Sequence, residues 1–394
     1  MQLSDIVILS GARTPIGSFG GALATQSPAQ LGTVAATAAI QRAGVSAAAI
    51  DTAVFGHIIT TASDDVYLAR QIALQSGMKT DSNAFQVNRL CGSGLQAIIS
   101  AAQQLLLGDG QLALCGGAES MSQGAFLLPG VRKGLRVGHA AVTDLTLGIL
   151  TDPFGSGHMG ITAENIAAKY RFSRQQLDEF ALESQQRAAR AQQAGYFAEQ
   201  IVPVVIHGKT TTEVNQDEHL RPNTSLENLG QLKPAFQKNG LVTAGNASGL
   251  NDGAAALILG TAQYAKNHNL HPKARLVAYS MAGVEPCLMG LGPIPAVQQL
   301  LKKTGLSLAN IDVIESNEAF AAQALAVSQT LGFDPAKVNP NGGAIALGHP
   351  VGATGAILLV KTLYELDRIN GQFGLVTLCI GGGQGIALLV ERCG

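Results

Sequence analysis

The sequence predicts an α/β fold assembled from two related halves, and three observations carry that prediction. Apolar, β-prone runs alternate with stretches of helical apolar spacing near both ends of the chain. One phrase occurs twice: Ala43-Gly-Val-Ser-Ala-Ala-Ala-Ile-Asp51 returns as Thr304-Gly-Leu-Ser-Leu-Ala-Asn-Ile-Asp312, with Gly44/Gly305, Ser46/Ser307, Ile50/Ile311 and Asp51/Asp312 all 261 positions apart. The composition suits close packing, since 46% of the 394 residues are hydrophobic, 13% are charged and 47 are glycine. Alternation of strand and helix makes each half a mainly parallel sheet packed by helices.

Taken in order, residues 5–10 form a first buried strand, 11–17 the loop after it, 30–42 a helix and 52–59 a second strand. The β-prone Ala84, Phe85 and Val87 lead into Gln86-Val-Asn-Arg-Leu-Cys-Gly-Ser-Gly94. Behind it Leu95, Ile98, Ile99, Ala102, Leu105 and Leu106 recur at helical spacing until Gly108 ends the helix. The offset aligns Gly94 with Gly355 and Ser93 with Thr354, and places His349 on Asn88. Leu112-Ala-Leu-Cys-Gly-Gly resembles Val376-Thr-Leu-Cys-Ile-Gly-Gly, with the register slipped in the intervening helix, so that Cys115 becomes the counterpart of Cys379. In the second half, residues 313–315 form a strand, 353–366 a helix with Pro350 in its first turn, and 373–378 and 386–390 two more strands. Between the halves, residues 120–249 differ in character. Their clearest element is a helix opened by the capping box Ser173-Arg-Gln-Gln176 and running to Gly195. The basic run Val131-Arg-Lys-Gly-Leu-Arg-Val-Gly-His139 is either a solvated loop or a subunit contact. The division expected is residues 1–119 with 250–272 as one half, 120–249 as an insertion, and 273–394 as the other half.

Several function classes are excluded. A net charge of −1, without a Lys/Arg-rich run with interleaved aromatics, offers nucleic acid no field. No apolar stretch approaches the ~20 residues that span a membrane, and the start of the chain lacks the pattern of a signal peptide. Five cysteines without CxxC spacing argue against a disulfide scaffold or a metal site. A reducing, cytoplasmic compartment is expected.

Four stretches can carry chemistry. Cys91 stands where a strand turns into a helix, whose free N–H groups favour thiolate, while Gly92 and Gly94 leave room for a substrate carbonyl. The plainer reading is a buried structural cysteine. In Ser316-Asn-Glu-Ala-Phe320, Asn317 either holds a water or an oxyanion, or caps a helix; taken alone, the cap is favoured. In Asn341-Gly-Gly-Ala-Ile-Ala-Leu-Gly-His-Pro-Val-Gly-Ala-Thr-Gly355 the glycines have P-loop spacing, but His349-Pro350 replaces the Lys and Ser/Thr that would grip phosphate. A histidine brought near a cysteine generates thiolate instead. In Leu378-Cys-Ile-Gly-Gly-Gly-Gln-Gly385 the flanking strands exclude a dinucleotide fingerprint, and Gly381–Gly383 offer open N–H groups near Cys379. Cys115 reads as core, and Cys287 and Cys393 lack a comparable setting.

Asn88-Arg-Leu-Cys-Gly-Ser-Gly94, Asn317-Glu-Ala-Phe320, Gly342 to Gly355 and Cys379-Ile-Gly-Gly-Gly-Gln-Gly385 together resemble the four signature blocks of the thiolases. Asn246-Ala-Ser-Gly-Leu-Asn-Asp-Gly-Ala-Ala-Ala256 and Gly157-His-Met-Gly160 match as well, so the likeness runs from Arg13 to the C-terminus. The resemblance implies a duplicated thiolase-type fold: two pseudo-symmetric mixed sheets layered with helices (αβαβα), plus an inserted loop domain. It implies acyl transfer with carbon–carbon bond making or breaking, on coenzyme A thioesters as substrates and with no permanently bound cofactor. Cys91 would be the nucleophile, His349 its proton acceptor and Cys379 the acid/base at the substrate α-carbon. His349 and a water held by Asn317 would stabilise the enolate, and the N–H groups of Cys91 and Gly381 the tetrahedral intermediates. Ser248, Ala247 and Gly249 would meet the pantetheine arm and Arg221 the adenine end. Leu250, Phe236, Met159 and Phe320 would line the tunnel, with His158 and Met289 at the acyl pocket. Gly157 stands where an aromatic residue usually precedes the histidine, which suggests a wider acyl pocket. The expected reaction joins two acetyl-CoA into acetoacetyl-CoA plus CoA, in a homo-oligomer, a tetramer joined through residues 131–139. The runner-up is a broader-chain 3-ketoacyl-CoA thiolase of fatty-acid degradation. The rivals of other kinds are a decarboxylating condensing enzyme and a CoA- or lipid-binding protein without catalysis.

Overall fold

The structure, a computed structural model, describes residues 2–394. The first half comprises β1 (Ile6–Arg13), α1 (Pro28–Ala43), β2 (Thr52–Gly56), α2 (Leu68–Gln75), β3 (Asn83–Val87), α3 (Ser93–Leu107) and β4 (Leu112–Ser120). The insertion holds α4 (Met159–Tyr170) and α5 (Arg174–Gln193), after which β5 (Asn251–Thr261) returns to the first half. The second half runs β6 (Ala274–Gly283), α6 (Pro293–Thr304), β7 (Val313–Ser316), α7 (Ala321–Leu331), α8 (Thr354–Ile369), β8 (Phe373–Ile380) and β9 (Gln384–Arg392).

The strands lie in the order β7-β8-β9-β6-β1-β5-β4-β2-β3, with the short strand Gly17–Ser18 beside β5. Outward from the β1–β6 seam, both halves repeat one order: β1, β5, β4, β2 mirrors β6, β9, β8, β7. Where the first half has β3, the second has a single parallel bridge between Ile314 and Val338. The two half-sheets join through only two residue pairs, Val7↔Arg275 and Ile8↔Ala274. Among the strands named, parallel pairing joins β2 with β3 and β4, and β7 with β8. The sheet is therefore mixed, not mainly parallel. β8 reaches β9 through a tight turn, and a turn that short joins antiparallel neighbours only.

Side chains alternate between two helical layers. Ile6, Ile8, Leu257 and Leu259 pack on α3 and α8, whereas Val7, Leu9, Ala256 and Ile258 pack on α1 and α2. α6 and α7 cover the outer face of the second half, giving five layers with α3 and α8 in the middle. Residues 90–107, which include α3, are long and apolar enough on average to cross a membrane; here they form this central core helix. The two central helices touch where each begins. A Cβ at Gly94 would lie 2.8 Å from Ala356 N, and one at Gly355 would lie 2.8 Å from Leu95 Cβ. Only glycine lets these backbones approach so closely.

The repeat survives in detail. Asp51 accepts the N–H groups of Gln111 and Leu112 at 2.7 and 3.0 Å, and Asp312 accepts those of Gln372 and Phe373 at 2.7 and 2.9 Å. The pairings Val54↔Cys115 and Glu315↔Val376 keep the same offset, so no register slip occurs. Val376, not Cys379, is the counterpart of Cys115; Cys379 lies further along β8. β1 also outruns its expected end, because Gly11, Ala12 and Arg13 pair with β5 instead of leaving as a loop.

The insertion is locked to β1. Arg13 donates to Asp217 at 2.7 and 2.9 Å and to Gln200 Oε1 at 2.7 Å, with both charged side chains fully buried. Breaking such a pair costs about 3–5 kcal/mol. The predicted capping box of Ser173 and Gln176 opens α5. Residues 131–139 are exposed, as are the neighbouring Phe126, Leu127 and Val142.

Candidate active site

Cys91 is presented by a strained turn between β3 and α3. Leu90 takes the left-handed region at φ +46°, which costs about 1–2 kcal/mol for a residue with a Cβ. Three hydrogen bonds offset that cost. The Leu90 N–H donates to Asn88 Oδ1 at 3.0 Å, the Ser93 hydroxyl donates to Leu90 C=O at 2.7 Å, and the Arg89 N–H donates to Ser93 Oγ at 2.8 Å.

His349 is mounted just ahead of α8, the symmetry mate of α3. Its N–H donates to Asn251 Oδ1 at 2.8 Å, and Asn251 Nδ2 donates to Gly17 C=O at 3.0 Å. Its ring Nδ1 lies 2.6 Å from Thr354 Oγ1, whose own hydrogen is directed to Pro350 C=O at 2.9 Å. The hydroxyl thus acts as acceptor toward the ring, which puts the imidazole hydrogen on Nδ1 and leaves Nε2 unprotonated, as an acceptor. Pro350 lies in the turn before α8 and anchors Thr354 there, whereas the sequence had placed it inside the first helical turn.

Asn317 Nδ2 lies 3.4 Å from His349 Nε2, and its buried Oδ1 has no partner among the described residues. The helix-cap reading fails, because α7 starts at Ala321 without a side-chain cap. Cys379 is buried near the end of β8, beside a turn in which Gly382 and Gly383 take φ +79° and +85°.

These separate stretches converge. Cys91, His349, Cys379, Gly381, Met159, Ser248, Met289 and Phe320 line one narrow, mostly apolar cavity of about 50 Å³ with Ile58, Leu90, Ile149 and Val351. Asn317 stands behind it, reaching the cavity through His349. Phe236 stacks on His158 at 4.6 Å and meets Phe320 edge-on at 6.0 Å, in a buried cluster with Ala247, Met159 and Met289. His158 caps α4 by accepting the Gly160 N–H at 3.0 Å. The Ser248 N–H donates to Ala319 C=O at 3.0 Å, and Leu250 packs near Cys91 and Ile59. Gly249 lies so close to the His219 ring that a Cβ would clash. Arg221 lies apart from the cavity, exposed in an outer cleft of about 360 Å³ with His219, Thr224 and Gly245. Gly157 is exposed with open space around it, outside the residues that line the cavity.

Burial decides the resting charges. Cys91 keeps a window onto the cavity, but its surroundings push the thiol up to about 11, against the pull of the Gly381 and Cys91 N–H groups. The expected resting thiolate is thus absent: desolvation outweighs the helix end. Burial pushes His349 down to about 4, and burial together with Cys91 raises Cys379. The resting site is a neutral thiol facing a neutral imidazole. No cluster with metal-binding geometry occurs among the described residues.

Sequence reasoning missed His57, Asp65 and Glu119, a buried cluster beside the cavity. They come from three elements without a shared motif. The available signal was a glutamate inside the otherwise apolar strand Leu112–Ser120.

A duplicated α/β fold with two thiols and an imidazole on one cavity defines a class of cysteine-based acyl-transfer proteins. Family profiles described as "Thiolase, N-terminal domain" and "Thiolase, C-terminal domain" match residues 6–263 and 270–392. The chain is 53% identical to the beta-ketothiolase BktB of Cupriavidus necator, over 98% of this chain and 99% of that one. It is 48% identical to the acetyl-CoA acetyltransferase of Thiocystis violacea, over 99% and 100%. The crystal structure of human mitochondrial 3-ketoacyl-CoA thiolase in complex with CoA superimposes with a TM-score of 0.96 at 43% identity, covering 98% of both chains. The chain belongs to the thiolase family, and it is an acyltransferase enzyme.

Proposed function

We propose that this protein is an acetyl-CoA C-acetyltransferase, joining two acetyl-CoA into acetoacetyl-CoA and CoA, or running the reverse thiolysis. The observation that carries this reading is the convergence of Cys91, His349 and Cys379 on one cavity. His349 Nε2 takes the Cys91 proton as the sulfur attacks the thioester carbonyl. The tetrahedral oxyanion is met by the N–H groups of Cys91 and Gly381. Collapse releases CoA, whose thiolate takes the Cys379 proton and leaves Cys379 ionised; His349 keeps the proton it took, and Cys91 keeps the acetyl group. Cys379 then removes an α-proton from the second acetyl-CoA, whose enolate oxygen is held by protonated His349 and a water on Asn317. The carbanion attacks the acyl-Cys91 carbonyl, forming the carbon–carbon bond and freeing the Cys91 sulfur. Acylation also removes the charge that Cys91 could bring to bear on Cys379, which lets the Cys379 thiolate form more readily at the step that needs a base.

CoA would lie with its pantetheine arm along Ala247, Ser248 and Gly249 and its adenine end in the Arg221 cleft, with the insertion as the CoA-binding and oligomerisation domain. Exposed Phe126, Leu127, Leu135 and Val137 beside the basic residues 132–136 support a tetramer contact. Five free cysteines support a reducing, cytoplasmic setting.

The test uses radiolabelled acetyl-CoA. Cys91→Ala should form no acyl-enzyme, whereas Cys379→Ala should acylate but fail to exchange the α-proton with deuterium. Normal exchange by the second variant would overturn the assignment. The broader-chain reading has one specific support, a second cavity of about 400 Å³ that shares Leu90, Ile149, Met159 and Gly381 with the first and extends past Phe154. Thiolysis rates against 3-ketoacyl-CoA of increasing length separate the two readings.

A further inference from the structure

His57, immediately after β2, is enclosed by acceptors. Its Nδ1 lies 3.1 Å from Glu119 Oε1 and 3.1 Å from Ala118 C=O, and its Nε2 lies 3.7 Å from Asp65 Oδ2. Nδ1 faces two acceptors at hydrogen-bond distance, whereas Nε2 makes no hydrogen bond among the described residues and meets Asp65 only as an ionic contact; two carboxylates around one buried imidazole favour its cation. The same conclusion follows from its titration, raised to about 10 by the two carboxylates against the opposing effect of burial. Asp65 is held by the Thr61 N–H and hydroxyl and by the Ala62 N–H.

Glu119 faces two ways. Oε1 accepts the Ile59 N–H at 3.1 Å, and Oε2 accepts the Gly352 N–H at 2.9 Å. Gly352 belongs to the other half, in the same loop as His349, and any Cβ there would strike Glu119. A carboxylate on β4 therefore holds the loop that carries the imidazole from the second half. The same charge acts on Cys91, where it raises the thiol. Neither His57 nor Glu119 lines the cavity.

We propose that His57 and Glu119 form a buried ion pair that positions the His349 loop across the two halves and limits how strongly the Glu119 charge opposes ionisation of Cys91. Both are positioning residues, acting through His349 and Cys91 without touching substrate. The proposal rests on the reading of Cys91 as nucleophile. The ionisable groups around Cys91 are Glu119 from β4, His349 from the loop before α8 and Cys379 from β8, with His57 and Asp65 behind Glu119.

The pair makes opposed predictions for its two members. In His57→Gln the Glu119 charge is uncompensated, so the pH midpoint for alkylation of Cys91 by iodoacetamide, followed by mass spectrometry, moves up by about one unit. In Glu119→Gln that charge is gone and the midpoint moves down, while the new amide hydrogens oppose the backbone N–H that the lost oxygen had accepted. Both variants lose roughly 10–100-fold in kcat with little change in KM for acetyl-CoA. The double variant titrates between the two singles. Should His57→Gln fail to fold, the uncharged double variant compared with Glu119→Gln reads the same coupling. Midpoints that move in one direction, or not at all, overturn the proposal. Opposed midpoints with unchanged turnover would overturn the positioning of the His349 loop, whereas an acyl-enzyme formed by Cys91→Ala would overturn the reading of Cys91 as nucleophile.

Discussion

At the scale of single residues, the site depends on a proton being in one place. Thr354 spends its hydrogen on Pro350 and so fixes the imidazole hydrogen on Nδ1 of His349. Thr354→Val removes the acceptor and frees the ring to adopt the tautomer whose Nε2 cannot accept a proton. Steady-state kinetics should show kcat lower by about one to two orders of magnitude with KM for acetyl-CoA nearly unchanged, and Thr354→Ser should restore most of the loss. Cys91, His349 and Cys379 were legible in the sequence because each sits in a glycine-rich block that encodes its own mounting. Asn317 was only half legible. What decides its role is a 3.4 Å approach to a histidine on another loop, and nothing local to Asn317 announces that. Of His57, Asp65 and Glu119 only the glutamate left a trace, as a charge in a largely apolar strand, since each looks ordinary until tertiary packing removes water from all three.

At the scale of elements, α3 and α8 meet through glycine at both starts. Gly355→Ala would bring a Cβ to 2.8 Å from Leu95 Cβ and closer still to the Leu95 N–H. Backbone cannot step aside as a flexible side chain can, so urea unfolding should report a loss of about 1–3 kcal/mol. Gly230→Ala, with open space around the site and no left-handed backbone, should leave stability unchanged within about 0.5 kcal/mol. The helices read from the sequence, α1, α3, α5 and α8, were placed nearly to their ends, because amphipathic spacing and caps are local. Strand direction was misjudged because it is set by neighbours far along the chain: β5 reaches its place only after the whole insertion. The supposed slip around Cys115 came from matching letters, whereas the sheet register follows the pairings of Val54 and Glu315.

At the scale of the whole molecule, buried His57 makes stability depend on pH. The unfolded chain releases this proton near 6.5, and the folded protein near 10. Below 6.5 both states are protonated and the contribution is complete. Between the two values the folded state holds one proton more, so stability falls as pH rises, by roughly 1.4 kcal/mol per unit. Buried thiols add the same sign above their ordinary range, Cys91 among them. Urea midpoints should therefore decline from pH 6.5 to about pH 9, and His57→Gln should flatten that decline. The duplication was legible because one phrase survived in both copies. The way the copies join was not, since Val7, Ile8, Ala274 and Arg275 bear no mark of being the seam.

That seam is two rungs long, so the sheet resists twisting of one half against the other only weakly. The firmer contact is the glycine crossing of α3 and α8, which acts as the pivot of any such rocking. In a rocking body, displacement grows with distance from the pivot and vanishes at it. Cys91 and His349 sit within a turn or two of chain from that point, where any such displacement would be smallest.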